Sequence, residues 1–191
     1  MYKLIKDQGM EKPIVLGHSM GGKWAMCFAS AYPDMVSKLI LVDIAPVRYG
    51  HYESHKGFIR DMLDVPLVGM TNRNDADAIL KPKIPETLVR SFLLQNLVWD
   101  PDTSSYKWRI NLDVLNRTLD QWIDPVIGGW GGPALFIGGT SSKYIKPEYH
   151  EIIYKLFPNA NIEMIQDATH YLHYEKPKEF ISLALPFIQG K

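Results

Sequence analysis

Apolar residues fall into two textures along this chain. Ile14, Val15 and Leu16 form a short unbroken run after Pro13 and before Gly17, the pattern of a buried strand. Residues 21–32 follow as a helix-forming stretch, with Trp24, Met26, Cys27 and Phe28 available for its inner face and Pro33-Asp34 closing it. Leu39, Ile40, Leu41 and Val42 make a second apolar run, ended by Asp43. Strand, helix and strand within about 30 residues predict a βαβ unit with parallel strands and a right-handed crossover. The same alternation returns later as strand 134–137, helix 147–157, strand 162–165 and helix 177–189.

The stretch between these two parts reads differently. Residues 56–63, 86–97 and 112–123 carry helical patches, and no buried-strand run of the same kind appears among them. Glycines at 128, 129, 131 and 132 mark the end of this region. The pattern predicts an α/β core, residues 1–46 and 133–191, interrupted by a mainly helical lid insertion at about 47–132. Residues 1–9 read as the end of a helix, with Gly9 as its stop. They have neither the apolar run nor the cleavage site of a signal peptide.

Composition narrows the function classes. The chain has 191 residues, 46% of them apolar, enough to build a sizeable core within one domain. Lys plus Arg and Asp plus Glu are 21 each, without a basic run, which argues against nucleic acid or anionic membranes as partners. No apolar stretch approaches the roughly 20 residues of a membrane span. The single cysteine, Cys27, forms no internal disulfide and is too few for a structural Cys/His zinc site.

The strongest chemical signal is Gly17-His18-Ser19-Met20-Gly21, set between the first strand and the following helix. This is the G-x-S-x-G nucleophile elbow in its strand–turn–helix context. The turn places Ser19 in a strained backbone conformation, with Gly17 and Gly21 expected to be small to avoid collision. The helix N-terminus aims N–H groups at a developing oxyanion, and Met20 N–H is the expected donor.

Among six histidines, His170 is the best placed to act as base, just after the last strand and in the chain order Ser, acid, His. His173 is the competitor, one turn away if that loop is helical. The acid is less obvious. The loop after strand 134–137 reads Gly138-Gly139-Thr140-Ser141-Ser142-Lys143, and its first carboxylate is Glu148. Asp43 ends the strand next to that of Ser19, where a carboxylate reaches the same imidazole; its other reading is a cap on the turn before Pro46. Ser142, standing where the acid is absent, is a candidate hydrogen-bonding partner.

Weaker signals point elsewhere. His51 and His55 have the spacing of zinc ligands on a helix, but Tyr52 follows His51, so H-E-x-x-H fails and no metal site is expected. The glycine cluster lacks the Lys-Ser/Thr of a P-loop. Cys27 reads as a small filler on a buried helix face. Trp99, Trp108, Trp122 and Trp130 suit either an apolar lid underside or ordinary packing.

Gly17 to Lys23 (GHSMGGK), Val42 to Pro46 (VDIAP), Trp108 to Leu112 (WRINL), Leu135 to Gly139 (LFIGG) and His170 to His173 (HYLH) occur in this order. Together they resemble the alpha/beta-hydrolase domain-containing protein eleven family and its bacterial short-acyl esterase relatives. The resemblance implies the C-terminal part of an alpha/beta-hydrolase fold, a parallel sheet with helices on both faces. It implies a hydrolase using Ser19, Asp43 and His170 with Ser142 assisting, acting on acylglycerol-type esters without a cofactor. For animal members it implies a mitochondrial setting, which needs an upstream targeting segment; without one the expectation is cytoplasmic.

Two departures shape the expectations. Thr169 stands where the family usually has Gly before the histidine, which leaves the placement of the His170 loop open to a shift. The family's first four strands, with the loop supplying a second oxyanion donor, have no counterpart, so the chain is read as N-terminally truncated. Loss of one oxyanion donor is worth roughly 10²–10³ in turnover, so activity is expected at least about a hundredfold below a full-length form, with self-association through an open strand edge. The rival reading is a catalytically silent hydrolase-like chain that only binds.

Overall fold

The computed structural model describes residues 1–50, 53–122 and 126–190. They divide into two compact units, Met1–Arg48 with Asp124–Lys191, and Tyr49–Ile123.

The first unit begins with α1 (Tyr2–Asp7) and is built on four parallel strands: β1 (Ile14–His18), β2 (Lys38–Val42), β5 (Ala134–Gly139) and β6 (Ala160–Ile165). Their order in the sheet is β1-β2-β5-β6. The register pairs His18 with Val42, Val42 with Ile137 and Gly139 with Ile165, so the strand C-termini end along one edge. Ligand sites of open parallel sheets form at that edge. β2 and β5 are the buried centre, with Leu39, Ile40, Leu41, Ala134, Phe136 and Ile137 wholly inaccessible. Central parallel strands need apolar side chains on both faces, which is why these two read as unbroken apolar runs.

β1 differs from its prediction as a buried strand. Alternate side chains point to opposite faces, and Leu16, between buried Val15 and Gly17, is 51% exposed. Among the described residues β1 hydrogen-bonds to β2 alone.

The helix after β1, α2 (Met20–Ala31), buries Gly22, Lys23, Ala25, Met26, Phe28 and Ala29. Trp24 and Cys27 lie three residues apart on the opposite stripe and are exposed, which corrects their placement on the inner face. Lys23 takes an inward position instead, its Nζ donating to the Val47 carbonyl at 2.6 Å. Helices α7 (His150–Leu156), α8 (Leu172–Glu175) and α9 (Pro177–Gln189) complete this unit. Ala184 of α9 packs in a cluster with Val42, Leu135, Ile137, Ala168 and Leu172.

The glycine-rich segment also belongs to this unit rather than to the insertion. Trp130 is buried, its backbone N–H donates to Leu156 O at 2.8 Å and its Nε1 to Pro33 O at 3.3 Å. A buried indole needs a partner for its N–H, and Pro33 provides it.

The second unit contains α3 (Glu53–Leu63), α4 (Arg73–Leu80), α5 (Thr87–Leu94), β3 (Leu97–Asp100), β4 (Ser105–Trp108) and α6 (Leu112–Trp122). The antiparallel β3–β4 hairpin replaces the end of the helix expected over 86–97. Ala76, Leu80, Ile84, Leu94 and Leu97 form one of its cores, with Trp108 packed against the edge. Arg90 is buried there and fully engaged, with Asp77 at 2.9 Å and the carbonyls of Ile84 and Pro85 each at 2.8 Å. Trp99 is half-exposed, edge-on to Tyr106. His51 and the Trp122 side chain lie outside the described residues.

Candidate active site

Ser19 occupies the turn between β1 and α2 with φ 54° and ψ −123°, a conformation that costs a non-glycine residue roughly 1–3 kcal/mol. It stands at the N-cap of α2, yet its hydroxyl does not cap the helix. Ser19 Oγ–H donates instead to His170 Nε2 at 3.0 Å. The turn is held on the sheet by Ser19 N–H to Val42 O at 3.0 Å.

The sharpness of the turn explains Gly17: a Cβ there would strike the carbonyl of Gly21. At Gly21 a Cβ would meet nothing, against the expectation that this glycine too is sterically required. The second tight position is Gly22, whose added Cβ would run into the Ile44 side chain. The helix turns Gly22, not Gly21, back towards β1 and the segment after β2.

Met20 opens α2, and its N–H lies in the first turn, where helix donors have no intrahelical acceptor.

Asp43 follows β2 at φ 48° and is completely buried. Its Oδ2 accepts from His170 Nδ1–H at 2.7 Å and from the Ser142 hydroxyl, and its Oδ1 accepts from Gly139 N–H at 3.3 Å. A buried carboxylate needs this many donors to remain tolerable. With Nδ1 protonated towards Asp43, Nε2 is left as the acceptor facing Ser19. The structure thus brings Ser19, Asp43, His170 and Ser142 together at the strand ends.

Glu148 does not join them: its carboxylate pairs with Lys146 at 3.4 Å and is 60% exposed. His173 stands on α8, its ring 4.5 Å from that of His18, and burial lowers its pKa. Among the described residues no group of three or more His, Cys, Asp or Glu is arranged to hold a metal.

Several partners of His170 were not visible in the sequence. Tyr144 stacks on its ring at 4.0 Å between centroids with 24° between planes, and burial raises the Tyr144 pKa. His18 Nε2–H donates to the backbone carbonyl of His170 at 2.8 Å. Thr169 gives both its N–H, at 2.8 Å, and its hydroxyl, at 2.6 Å, to the Glu175 carboxylate. The residue that departs from the family pattern is thus bonded into the His170 loop, and His170 still reaches Ser19. Of these, His18 carried a local signal in its place inside the elbow motif and Thr169 in its departure from the family's Gly, whereas Tyr144 carried none.

The family model for the alpha/beta hydrolase fold matches residues 2–177. The chain belongs to the alpha/beta hydrolase fold family. Among curated relatives, this alpha/beta hydrolase is 37% identical over 188 residues to the sn-1-specific diacylglycerol lipase ABHD11 of Danio rerio, covering 93% of this chain and 57% of that protein. It is 35% identical over 174 residues to Esterase YbfF of Escherichia coli strain K12, covering 89% of this chain and 65% of that protein. The chain therefore spans less than two thirds of the length of these curated relatives. Among solved structures, a marine microorganism esterase superposes with a TM-score of 0.93 at 35% identity, covering 97% of this chain and 74% of that one.

Proposed function

We propose that this alpha/beta hydrolase carries the machinery of a serine hydrolase that cleaves carboxylic esters. The observation that carries the reading is the continuous relay from Ser19 Oγ to His170 Nε2 at 3.0 Å and from His170 Nδ1 to Asp43 Oδ2 at 2.7 Å. A nucleophile, a base and an orienting acid within hydrogen-bond reach are what acyl transfer needs.

In the proposed reaction Ser19 Oγ attacks the ester carbonyl carbon as its proton passes to His170 Nε2. Negative charge gathers on the former carbonyl oxygen, where Met20 N–H donates to it. Asp43 holds Nδ1–H and stabilises the imidazolium, while Ser142 O–H and Gly139 N–H keep the carboxylate fixed. The imidazolium protonates the leaving alkoxide, the C–O bond breaks, and an acyl-Ser19 remains. Water then gives a proton to His170 and its oxygen to the acyl carbon, the acyl–Oγ bond breaks as His170 returns that proton to Ser19 Oγ, and the acid departs. Every proton acceptor and donor in these steps is a protein group, the ester or the attacking water.

The substrate class follows from the relatives: acylglycerols or other lipid esters, as the name of the zebrafish relative indicates for that protein. The same resemblance carries a mitochondrial setting as part of the proposal. In keeping with a core and lid organisation, Tyr49–Ile123 is inserted in the chain between β2 and β5 and forms a compact unit of its own.

The test is labelling of the purified chain with a fluorophosphonate probe. Labelling that disappears in Ser19→Ala supports the reading. A folded chain that does not label overturns it and leaves the alternative, a binding module without turnover.

A further inference from the structure

We propose that His18, the residue before the nucleophile, is a positioning residue that keeps His170 in register with Ser19 through its hydrogen bond to the His170 carbonyl. The inference rests on the serine hydrolase reading above.

Ser19 is anchored to β1 and His170 to the loop after β6, and two strands lie between them in the sheet. A base that must meet a hydroxyl within hydrogen-bond distance therefore depends on what ties that loop to the nucleophile strand. The bonds made by Thr169 to Glu175 span only six residues, so they shape the loop but move with it. Asp43 holds the imidazole ring, not the backbone that carries it.

The bond from His18 Nε2–H to His170 O is different in kind: it joins positions 152 apart at 2.8 Å. His18 is itself the last residue of β1, fixed opposite Val42 and adjacent to Ser19. The donor and the nucleophile thus share one rigid strand end. The His18 and His170 rings also touch, with centroids 4.6 Å apart.

The surroundings favour a permanent neutral donor. His18 faces His170, His173 and Tyr171, with Asp43 beyond, and burial holds its pKa down to about 4. It therefore keeps one tautomer, with Nε2–H fixed by the carbonyl, while His170 gains and loses its proton. A cationic His18 would instead oppose the imidazolium that forms on attack.

Three substitutions separate hydrogen bonding from bulk. H18Q keeps an N–H donor at nearly the reach of Nε2, H18N carries one too short, and H18L fills space without a donor. Turnover of a short-acyl p-nitrophenyl ester, fluorophosphonate labelling and NMR of the His170 imidazole are read on the whole chain. H18L and H18N should lower kcat by about 10–100-fold with KM unchanged, as expected for a misplaced base. H18Q should recover most of the loss. The downfield His170 Nδ1–H resonance and the imidazole titration should survive in H18Q and be altered in H18N.

The proposal is overturned if H18L matches the parent in kcat, labelling and His170 titration. It is equally overturned if folded H18Q is as impaired as H18L or H18N. Should H18L fail to fold, the pair H18Q and H18N decides. If the parent shows no Ser19-dependent turnover or labelling, the hydrolase reading fails, and the NMR comparison still tests whether His18 positions His170.

Discussion

His170 Nδ1 and Asp43 Oδ2 stand 2.7 Å apart although 127 positions separate them in the chain. Their meeting follows from the sheet order: β2 lies between β1 and β5, so the carboxylate that ends β2 is next to the Ser19 turn. The last residue of β5 then contributes a backbone donor, Gly139, and the loop after it a hydroxyl, Ser142, to the same carboxylate. The carboxylate and its donors come from neighbouring strand ends.

Replacing Asp43 with Asn should leave the fold intact and slow fluorophosphonate labelling by about 10⁴-fold, because the amide favours the wrong imidazole tautomer. Circular dichroism and labelling rates check this together. Near-parent labelling in a folded D43N chain would remove Asp43 from the acid role.

Ser142→Ala should cost about 1.5–3 kcal/mol of stability, the usual range for a hydrogen bond to a charged group. Urea titration should show a lower midpoint, and labelling should slow by much less than in D43N. An unchanged midpoint would mean that the buried carboxylate finds another donor, contrary to the role given to Ser142.

The two outer glycines of the G-x-S-x-G motif should respond in opposite ways. Gly17→Ala drives a methyl group into the Gly21 carbonyl, so it should destabilise by about 1–3 kcal/mol or more and displace Ser19. Gly21→Ala meets open space within α2 and should be neutral or stabilising by up to about 1 kcal/mol. Thermal melts of the two variants distinguish them, and equal losses would refute the steric account.

Stability should also fall as the pH drops from 6.5 towards 4. Burial lowers the His18 pKa to about 4 from 6.5 in the folded chain, so within that window the unfolded chain binds a proton that the folded chain refuses. Protonation therefore favours unfolding, and the contribution is complete once the pH is below the folded value. His173, also depressed by burial, acts in the same direction. Melts of the parent and H18Q across this window should diverge as the pH falls, with the parent losing more. Parallel curves would show that His18 is not held neutral.

The sequence by itself determined the parts of this protein that depend on neighbours in the chain. The run 14–16, the G-x-S-x-G turn and the helix behind it are specified within about one βαβ unit. Apolar runs long enough to be buried on both faces likewise announced β2 and β5. The short β3 and β4 escaped notice because four-residue strands with polar members, such as Ser105 and Lys107, have too little periodicity to stand out.

Tertiary structure alone decided the rest. The helical phase that exposes Trp24 and Cys27 while burying Lys23 depends on which side of α2 the sheet occupies. The anchoring of Trp130 needed Leu156 and Pro33, both remote in sequence. The Ser142 and Gly139 donors to Asp43, the Tyr144 ring against His170 and the bond from His18 to the His170 carbonyl all join parts remote in the chain. A local pattern can specify a turn, because its energy is local. Partners brought together by strand order are selected only when the sheet assembles, because their bonds compensate burial that exists only in the folded chain.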